Sequence, residues 1–374
     1  DFLPASIITR DHRIRFILFS ICAGLAMLSK YHSVFLWIGA MGYILFYNRK
    51  WLLDYSLYVS LALSFIIITP IIYWNVKHDF ISFTFHGNRV TTAFQLRPDY
   101  FLREIGGQIA YNNPVNYVLI IIALIGLLQK KVAINNSIRI LLLTSLPLYF
   151  TFTGFSLFRS TLPHWTGPSF ISLIIIAAIY WSARLQNSNG TSAIPLPIIL
   201  PSYFLIFLLC VAVYIINYSP LQLGKTGDTR NQGNADFTQD LYGWQHIGEE
   251  FQKIALREEE TGDMQKDAGL ISYRWFPGAH EDFYVASPMH RNLYLIGELN
   301  DTHKYYWINQ QRGKLTPGKD YYHIAVTNYY RDPNTIFGSE FEKIIPLDTI
   351  NVFRINTLMR QAYVYKLENY KGTP

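Results

Sequence analysis

The chain has 374 residues and a mass of 43.4 kDa; 50% of it is hydrophobic, 16% aromatic, and it carries a net charge of +6 with a pI near 9.0. Charged residues make up 16% against about 25% in soluble proteins, which excludes a string of ordinary soluble domains. The basic excess does not mark a nucleic-acid binder: residues 1–217 hold 15 basic and 6 acidic residues, residues 218–374 hold 17 and 20, so the positive charge lies between apolar runs, where membrane topology uses it.

In chain order, Asp1–Arg15 lacks the basic, apolar, small-residue order of a signal peptide. The initial Asp in place of Met reads as a fragment or processed product. Seven apolar runs follow: Ile14–Ser29, Ser33–Tyr47, Leu52–Tyr73, Val115–Leu128, Ile138–Phe150, Thr166–Trp181 and Pro195–Asn217. A spanning helix needs about 20 apolar residues, so the shorter runs need flanking residues, tilt or only partial crossing. The expectation is a transmembrane helical domain over 1–217 with about seven helices, then an α/β domain over 218–374.

Orientation follows from Lys and Arg in the short connections. Arg10, Arg13 and Arg15 precede the first run, Arg49-Lys50 follow the second, Lys130, Lys131 and Arg139 follow the fourth, and Arg184 follows the sixth. Seven crossings put all of these on the cytoplasmic side. Lys30-Tyr31-His32, the segments Trp74–Pro114 and Thr151–Trp165, and everything after Asn217 then face outward. The expected localisation is a multi-pass protein of the cell inner membrane with a periplasmic C-terminal domain.

Beyond the last run, Tyr218 to about Gln239 is rich in Gly, Asn and Thr and reads as a linker or extended surface segment. Asp240–Glu260 carries Ile247, Phe251, Ile254 and Ala255 at helical spacing. Strands are expected at Leu270–Arg274, Asn292–Ile296, His323–Thr327, Lys343–Val352 and Tyr363–Leu367, and helices at His280–Ala286 and Thr302–Gln311. That alternation is the pattern of a small α/β domain. No phosphate-cradling glycine motif occurs. The cysteines, Cys22 and Cys210, both lie inside apolar runs and offer neither a disulfide framework nor a metal cluster.

Few residues could carry chemistry. Lys30 stands between two apolar runs; it either snorkels to water or meets the phosphate of a lipid-linked substrate. His86 and Arg89 are three apart, one helical face, and pair a proton-carrying imidazole with a guanidinium that can grip a phosphate by two donors. Arg159 and His164-Trp165 precede the sixth run on the same outward side, although Pro-His-Trp is also a simple helix entry. His280, Glu281 and Asp282 with His290 have metal-binding residue types without a diagnostic spacing, and read better as a solvated helix start. Asp79, Asp99 and Glu104 are the outward acidic residues near the membrane, and no paired-carboxylate site can be built from them.

Certain motifs resemble a known family. Gly24-Leu25-Ala26-Met27-Leu28-Ser29-Lys30-Tyr31, Thr69-Pro70-Ile71-Ile72-Tyr73-Trp74-Asn75, Ser82-Phe83-Thr84-Phe85-His86, Leu162-Pro163-His164-Trp165 and Asp240-Leu241-Tyr242-Gly243-Trp244 are similar, in order, to stretches of the bacterial family 39-type membrane glycosyltransferases. These include protein O-mannosyltransferases and aminoarabinose transferases and share the GT-C helical fold. The resemblance implies transfer of a sugar from a polyprenyl-phosphate donor to an envelope acceptor (lipid, glycan or protein) on the outer face of the inner membrane. It matches Lys30 to the lysine of a Leu-Ser-Lys-Tyr motif; Lys30, His86, Arg89, Arg159 and His164 are the residues assigned to the donor phosphate. In the family the catalytic acidic residues sit in the first outer loop. No such loop stands in this sequence, so the catalytic residue is unassigned and the chain reads as the middle and end of a longer enzyme. No cofactor is identified, and nothing supports a divalent metal or a nucleic-acid partner. The rival is a non-enzymatic transporter or envelope-assembly protein, which the scarcity of charge inside the runs disfavours.

Overall fold

Each apolar run is helical in the computed structural model, which describes residues 8–84, 95–186 and 196–372. The helices are α1 (Arg10–Ser29), α2 (Val34–Tyr47), α3 (Tyr55–Lys77), α4 (Pro98–Tyr111), α5 (Pro114–Leu128), α6 (Asn136–Phe155), α7 (Gly167–Gln186) and α8 (Leu196–Tyr218). Among the described residues, five are long and apolar enough to cross a membrane: α1, α3, α6, α7 and α8. The α2 helix is shorter, and α4 and α5 are bent by 104° from one another, counting as a sixth span only if taken together.

Local chemistry sets these boundaries. Thr9 caps α1 with its hydroxyl on the His12 amide, and Asn135 caps α6 through Ile138 N at 2.9 Å. Asp54 caps α3 through Ser56 N at 2.9 Å and also takes Arg13 at 2.8 Å, tying the start of α3 to the start of α1. Such side-chain oxygens satisfy amides that have no partner inside the helix. Between α4 and α5, Asn113 adopts φ 63°, a conformation Asn tolerates better than most residues, and its side chain then accepts from Val115 N.

Two segments expected to face outward are less loop-like than their sequences suggest. The α3 helix continues to Lys77, α6 runs on to Phe155, and Pro98–Tyr111 inside the supposed loop Trp74–Pro114 is the separate helix α4. Continuing a helix pairs backbone groups that would otherwise be bare near an apolar medium.

Helix pairing uses small and hydroxyl residues. Ser64 of α3 donates to Ser20 O of α1 at 2.6 Å and accepts from Trp37 Nε1 of α2 at 3.0 Å. Gly39 of α2 meets α6 so closely that a Cβ would lie 2.6 Å from Leu143 O and Thr144 Cα. Small residues that let backbones approach, with interhelical hydrogen bonds, are what hold helices together where no hydrophobic drive exists. The Arg139 guanidinium at the start of α6 lies 4.7 Å from the Tyr47 ring at the end of α2. The Arg13–Asp54 and Arg139–Tyr47 contacts place basic clusters of the short connections at one common end.

The chain divides into two compact units, Asp1–Phe207 and Leu208–Pro374, with the division inside α8. The second unit holds a five-stranded mixed sheet in the order β2-β1-β3-β5-β4. Its strands are β1 (Leu270–Ser272), β2 (Leu293–Leu295), β3 (Tyr321–Val326), β4 (Phe341–Arg354) and β5 (Thr357–Tyr370). Its longer helices are α9 (Trp244–Glu260), α10 (Trp275–Glu281), α11 (Tyr305–Arg312) and α12 (Pro333–Phe337), with a single turn over Leu299–Thr302. β1 runs parallel to β2 and β3, while the β4–β5 hairpin joins β3 antiparallel. One face packs Leu270, Tyr322, Ile324 and Val364 against Ile247 and Phe251 of α9; the other packs Ile271 and Tyr321 with Phe337 of α12.

Two sequence readings need correction here. The segment from Tyr218 to Gln239 is no free linker: Gln222 donates to Leu358 O at 2.7 Å, Thr327 Oγ1 donates to Gln232 O at 2.6 Å, and Gln232, Asp236, Thr238 and Gln239 are buried. The fully buried Arg354 holds it too, donating to Ile216 O and Leu221 O at 2.9 and 2.8 Å. Nor is the His280–Asp282 run a solvated helix start. Glu281 is 1% exposed, His280 stacks on Trp244 at 4.8 Å, and Asp282 is paired with Arg312 at 2.8 Å. Helix periodicity around a polar triplet cannot reveal that neighbouring aromatic residues will close over it.

Candidate functional site

The site is built where α1 breaks into α2. Lys30 has extended backbone (φ −154°), which ends α1, and a short turn over Tyr31–Ser33 starts the return helix. An ammonium at such a helix end stays near the polar edge instead of entering the apolar interior. Its Nζ donates to the backbone carbonyl of His164 at 3.3 Å. Two residues assigned from sequence, 134 positions apart, thus meet. The same turn puts His32 edge-on to Phe152 at 4.6 Å and beside Trp165 at 5.7 Å, and Phe152 packs against Trp165 at 5.5 Å. Aromatic side chains wedge the α1–α2 turn against the connection between α6 and α7.

That connection, which carries Arg159, Thr161 and His164, is held from below by α4. Pro163 sits so tightly on Gly107 that a Cβ there would lie 2.1 Å from Pro163 Cγ. The exposed imidazole of His164 lies 6.1 Å from the Tyr111 ring at the end of α4. Arg159 is half-buried on the same connection.

Sequence reasoning missed the polar floor beneath. Glu104 is 1% exposed; one carboxylate oxygen accepts from Thr161 Oγ1 at 2.7 Å and the other from Gln108 Nε2 at 2.9 Å. The same Gln108 nitrogen donates to Thr153 Oγ1 at 3.0 Å, so one chain of bonds links α4, α6 and the α6–α7 connection. A signal did exist: Glu104 and Gln108 are four apart, on the opposite face of α4 from Leu102, which is 68% exposed. α4 is therefore amphipathic with its polar face inward, the orientation expected of a helix lying beside lipid. The other two carboxylates of that group behave differently: Asp99 is exposed and paired with Arg97 at 2.9 Å, and Asp79 is exposed with φ 52°.

His86 and Arg89 lie outside the described residues. The last stretch before them reaches the site, since Phe83 stacks on Tyr31 at 5.8 Å. Among the described residues no group of three or more His, Cys, Asp or Glu could hold a metal ion. An apolar cavity of about 130 Å³ lined by Phe16, Tyr43 and Trp51 belongs to the opposite helix ends and offers no polar chemistry to this site.

The arrangement thus offers a cation, an imidazole and a second cation around an aromatic-walled connection, over a fully hydrogen-bonded carboxylate. Residues 4–74 match the family model of dolichyl-phosphate-mannose-protein mannosyltransferase. The matched segment spans α1, α2 and most of α3, with Lys30 inside it, and agrees with the resemblance carried by the motifs around Lys30 and Thr69–Asn75. With the apolar helices it supports a membrane glycosyltransferase of the GT-C type. No curated protein and no solved structure matches the chain significantly.

Proposed function

We propose that the protein transfers a sugar from a polyprenyl-phosphate donor to an envelope acceptor on the outer face of the inner membrane, with the 208–374 unit on that face. Lys30, Arg159 and His164 take the donor phosphate, and His86 and Arg89 are assigned to it from the sequence alone. The observation that carries this reading is the contact of Lys30, which lies in the segment matching the dolichyl-phosphate-mannose-protein mannosyltransferase family, with the carbonyl of His164. A cation at the membrane edge complements an anionic head group and stabilises the phosphate as it leaves. His164, whose carbonyl holds the ammonium while its ring stays exposed, can donate to or shuttle a proton at the same centre.

The test is sugar transfer from a radiolabelled polyprenyl-phosphate sugar in membranes that carry the full-length protein. A charge-assisted hydrogen bond contributes about 1.5–3 kcal/mol, so Lys30→Ala is expected to lower kcat/KM by roughly ten- to a hundredfold. Lys30→Arg should retain more of the activity. Equal turnover by Lys30→Ala and the unaltered protein would sink the assignment.

A further inference from the structure

The 208–374 unit contains a polar cleft of about 390 Å³ at the carboxyl ends of β1 and β3. Its place follows from the topology. β1 and β3 are adjacent and parallel, but the chain leaving β1 turns to β2 on one side and the chain leaving β3 turns towards the β4–β5 hairpin on the other. Where successive connections part in this way, an open α/β sheet leaves a crevice outside its strand ends, and ligands bind there. The volume falls within the range of small-molecule sites, about 300–1,000 Å³.

The cleft is lined by unspent hydrogen-bonding capacity. Arg274, directly after β1, is half-buried, and among the described residues its guanidinium has no hydrogen-bond acceptor or ion-pair partner. Arg331, beyond β3, is exposed and lies 5.2 Å from the Tyr273 ring, again with no carboxylate partner among the described residues. Across from them, Asp240 accepts from the Tyr329 hydroxyl at 2.9 Å through one oxygen, leaving the other without a protein donor among the described residues. Asn328 is fixed from behind, its side-chain oxygen taking the fully buried Arg360 at 3.4 Å, and Arg360 in turn lies 4.1 Å from the Trp244 ring. The frame is thus rigid while its rim groups are unpaired.

We infer that this cleft binds a saccharide bearing an anionic group, with Arg274 and Arg331 on the anion, Asp240 on ring hydroxyls and the tyrosine rings against the apolar face of the sugar. Guanidinium forks match a carboxylate or a phosphate ester by two donors, and a carboxylate oxygen accepts from vicinal hydroxyls. An anion alone leaves Asp240 facing it, which is repulsive; a neutral sugar leaves both arginines unused. Only the combination satisfies both sides of the cleft. Combined with the transferase reading, the occupant is part of the acceptor; the binding itself does not depend on that reading.

The experiment is isothermal titration of the full chain in nanodiscs with glucuronic acid, glucose 1-phosphate, glucose and inorganic phosphate. Binding of at least one charged sugar is expected, with glucose and inorganic phosphate each about tenfold weaker or worse. Which charged sugar binds better tells a carboxylate from a phosphate ester. Arg274→Gln and Arg331→Gln should each weaken that binding about tenfold, whereas Lys319→Gln, outside the cleft, should not. Because Arg331 is exposed, its variant should keep the unfolding midpoint and so separate lost binding from lost folding. The proposal is overturned if no charged sugar binds at millimolar concentration, if glucose or inorganic phosphate binds as tightly, or if both arginine variants bind normally. Full-length protein that binds the charged sugar but transfers none from a polyprenyl-phosphate donor would remove the transferase reading and leave the cleft intact.

Discussion

Glu104 shows what one buried carboxylate does in the helical unit. It accepts from Thr161 and Gln108, and through them it fixes the connection that carries His164. Glu104→Ala strands two donors in a buried place, each costing about 1–3 kcal/mol, so a clear drop in the thermal unfolding midpoint of the detergent-solubilised protein is expected. Glu104→Gln keeps one carbonyl acceptor and should lose less. Equal midpoints for all three proteins would show that the network contributes nothing. At this scale the sequence was a partial guide. Lys30 and His164 stood out in the sequence as a cation and an imidazole in an apolar context, and the structure brings the two residues into contact. Glu104 was not, since Asp79, Asp99 and Glu104 look alike until burial separates one from the others.

At the scale of elements, α4 is the piece that positions the site. Its Gly107 accepts Pro163 at a distance no side chain permits. Gly107→Ala must displace the Pro163–Trp165 turn and with it the carbonyl that Lys30 holds. The expected result is a transfer rate lower by about tenfold or more, the size of loss that a displacement of order 1 Å brings in an organised site, while the helices remain. Activity set against helical content by circular dichroism checks this; unchanged activity would show that the turn can move freely. The seven apolar runs were legible by hydropathy, whereas α4 was absorbed into an outward segment. Its apolar stripe is short and interrupted by Arg103, Glu104 and Gln108, and only contact with Thr153 and Thr161 reveals which side those polar groups serve. In the other unit, the strands were legible from short apolar runs, and the long β4–β5 hairpin (Phe341–Arg354 with Thr357–Tyr370) proved longer than its apolar kernel because antiparallel pairing extends through polar residues.

For the molecule as a whole, two buried groups contribute opposing slopes to how stability varies with pH. Burial raises the Glu281 carboxyl to about 8, with the Asp282 charge adding to the rise, and lowers the His323 imidazole to about 4. Above the ordinary carboxylate value the unfolded chain has released the proton that folded Glu281 still holds, so stability falls as pH rises towards about 8. Below the ordinary imidazole value the unfolded chain binds a proton that buried His323 refuses, so stability also falls as pH drops towards about 4. Glu281→Gln should therefore remove the fall in stability between about pH 6.5 and 8, and uncover the His323 decline between about pH 4.5 and 6.5, where in the unaltered protein the two slopes oppose one another. Unfolding midpoints across pH measure it, and an unchanged alkaline slope would refute the assignment.

The sequence by itself determined that the chain is a helical membrane unit followed by a small α/β unit, because hydropathy and charge spacing are summed along the chain and need no partner. It also carried a resemblance to a glycosyltransferase family, and the match over residues 4–74 covers the stretch of that resemblance around Lys30. Tertiary structure alone decided that Lys30 meets His164, that α4 turns Glu104 inward, that Tyr218–Gln239 is docked, and that Arg274 and Arg331 share a cleft. The physical reason is the same in each case. Contacts between residues far apart in sequence, and the burial they produce, depend on which faces of helices and which ends of strands are brought together, and no local pattern encodes that choice.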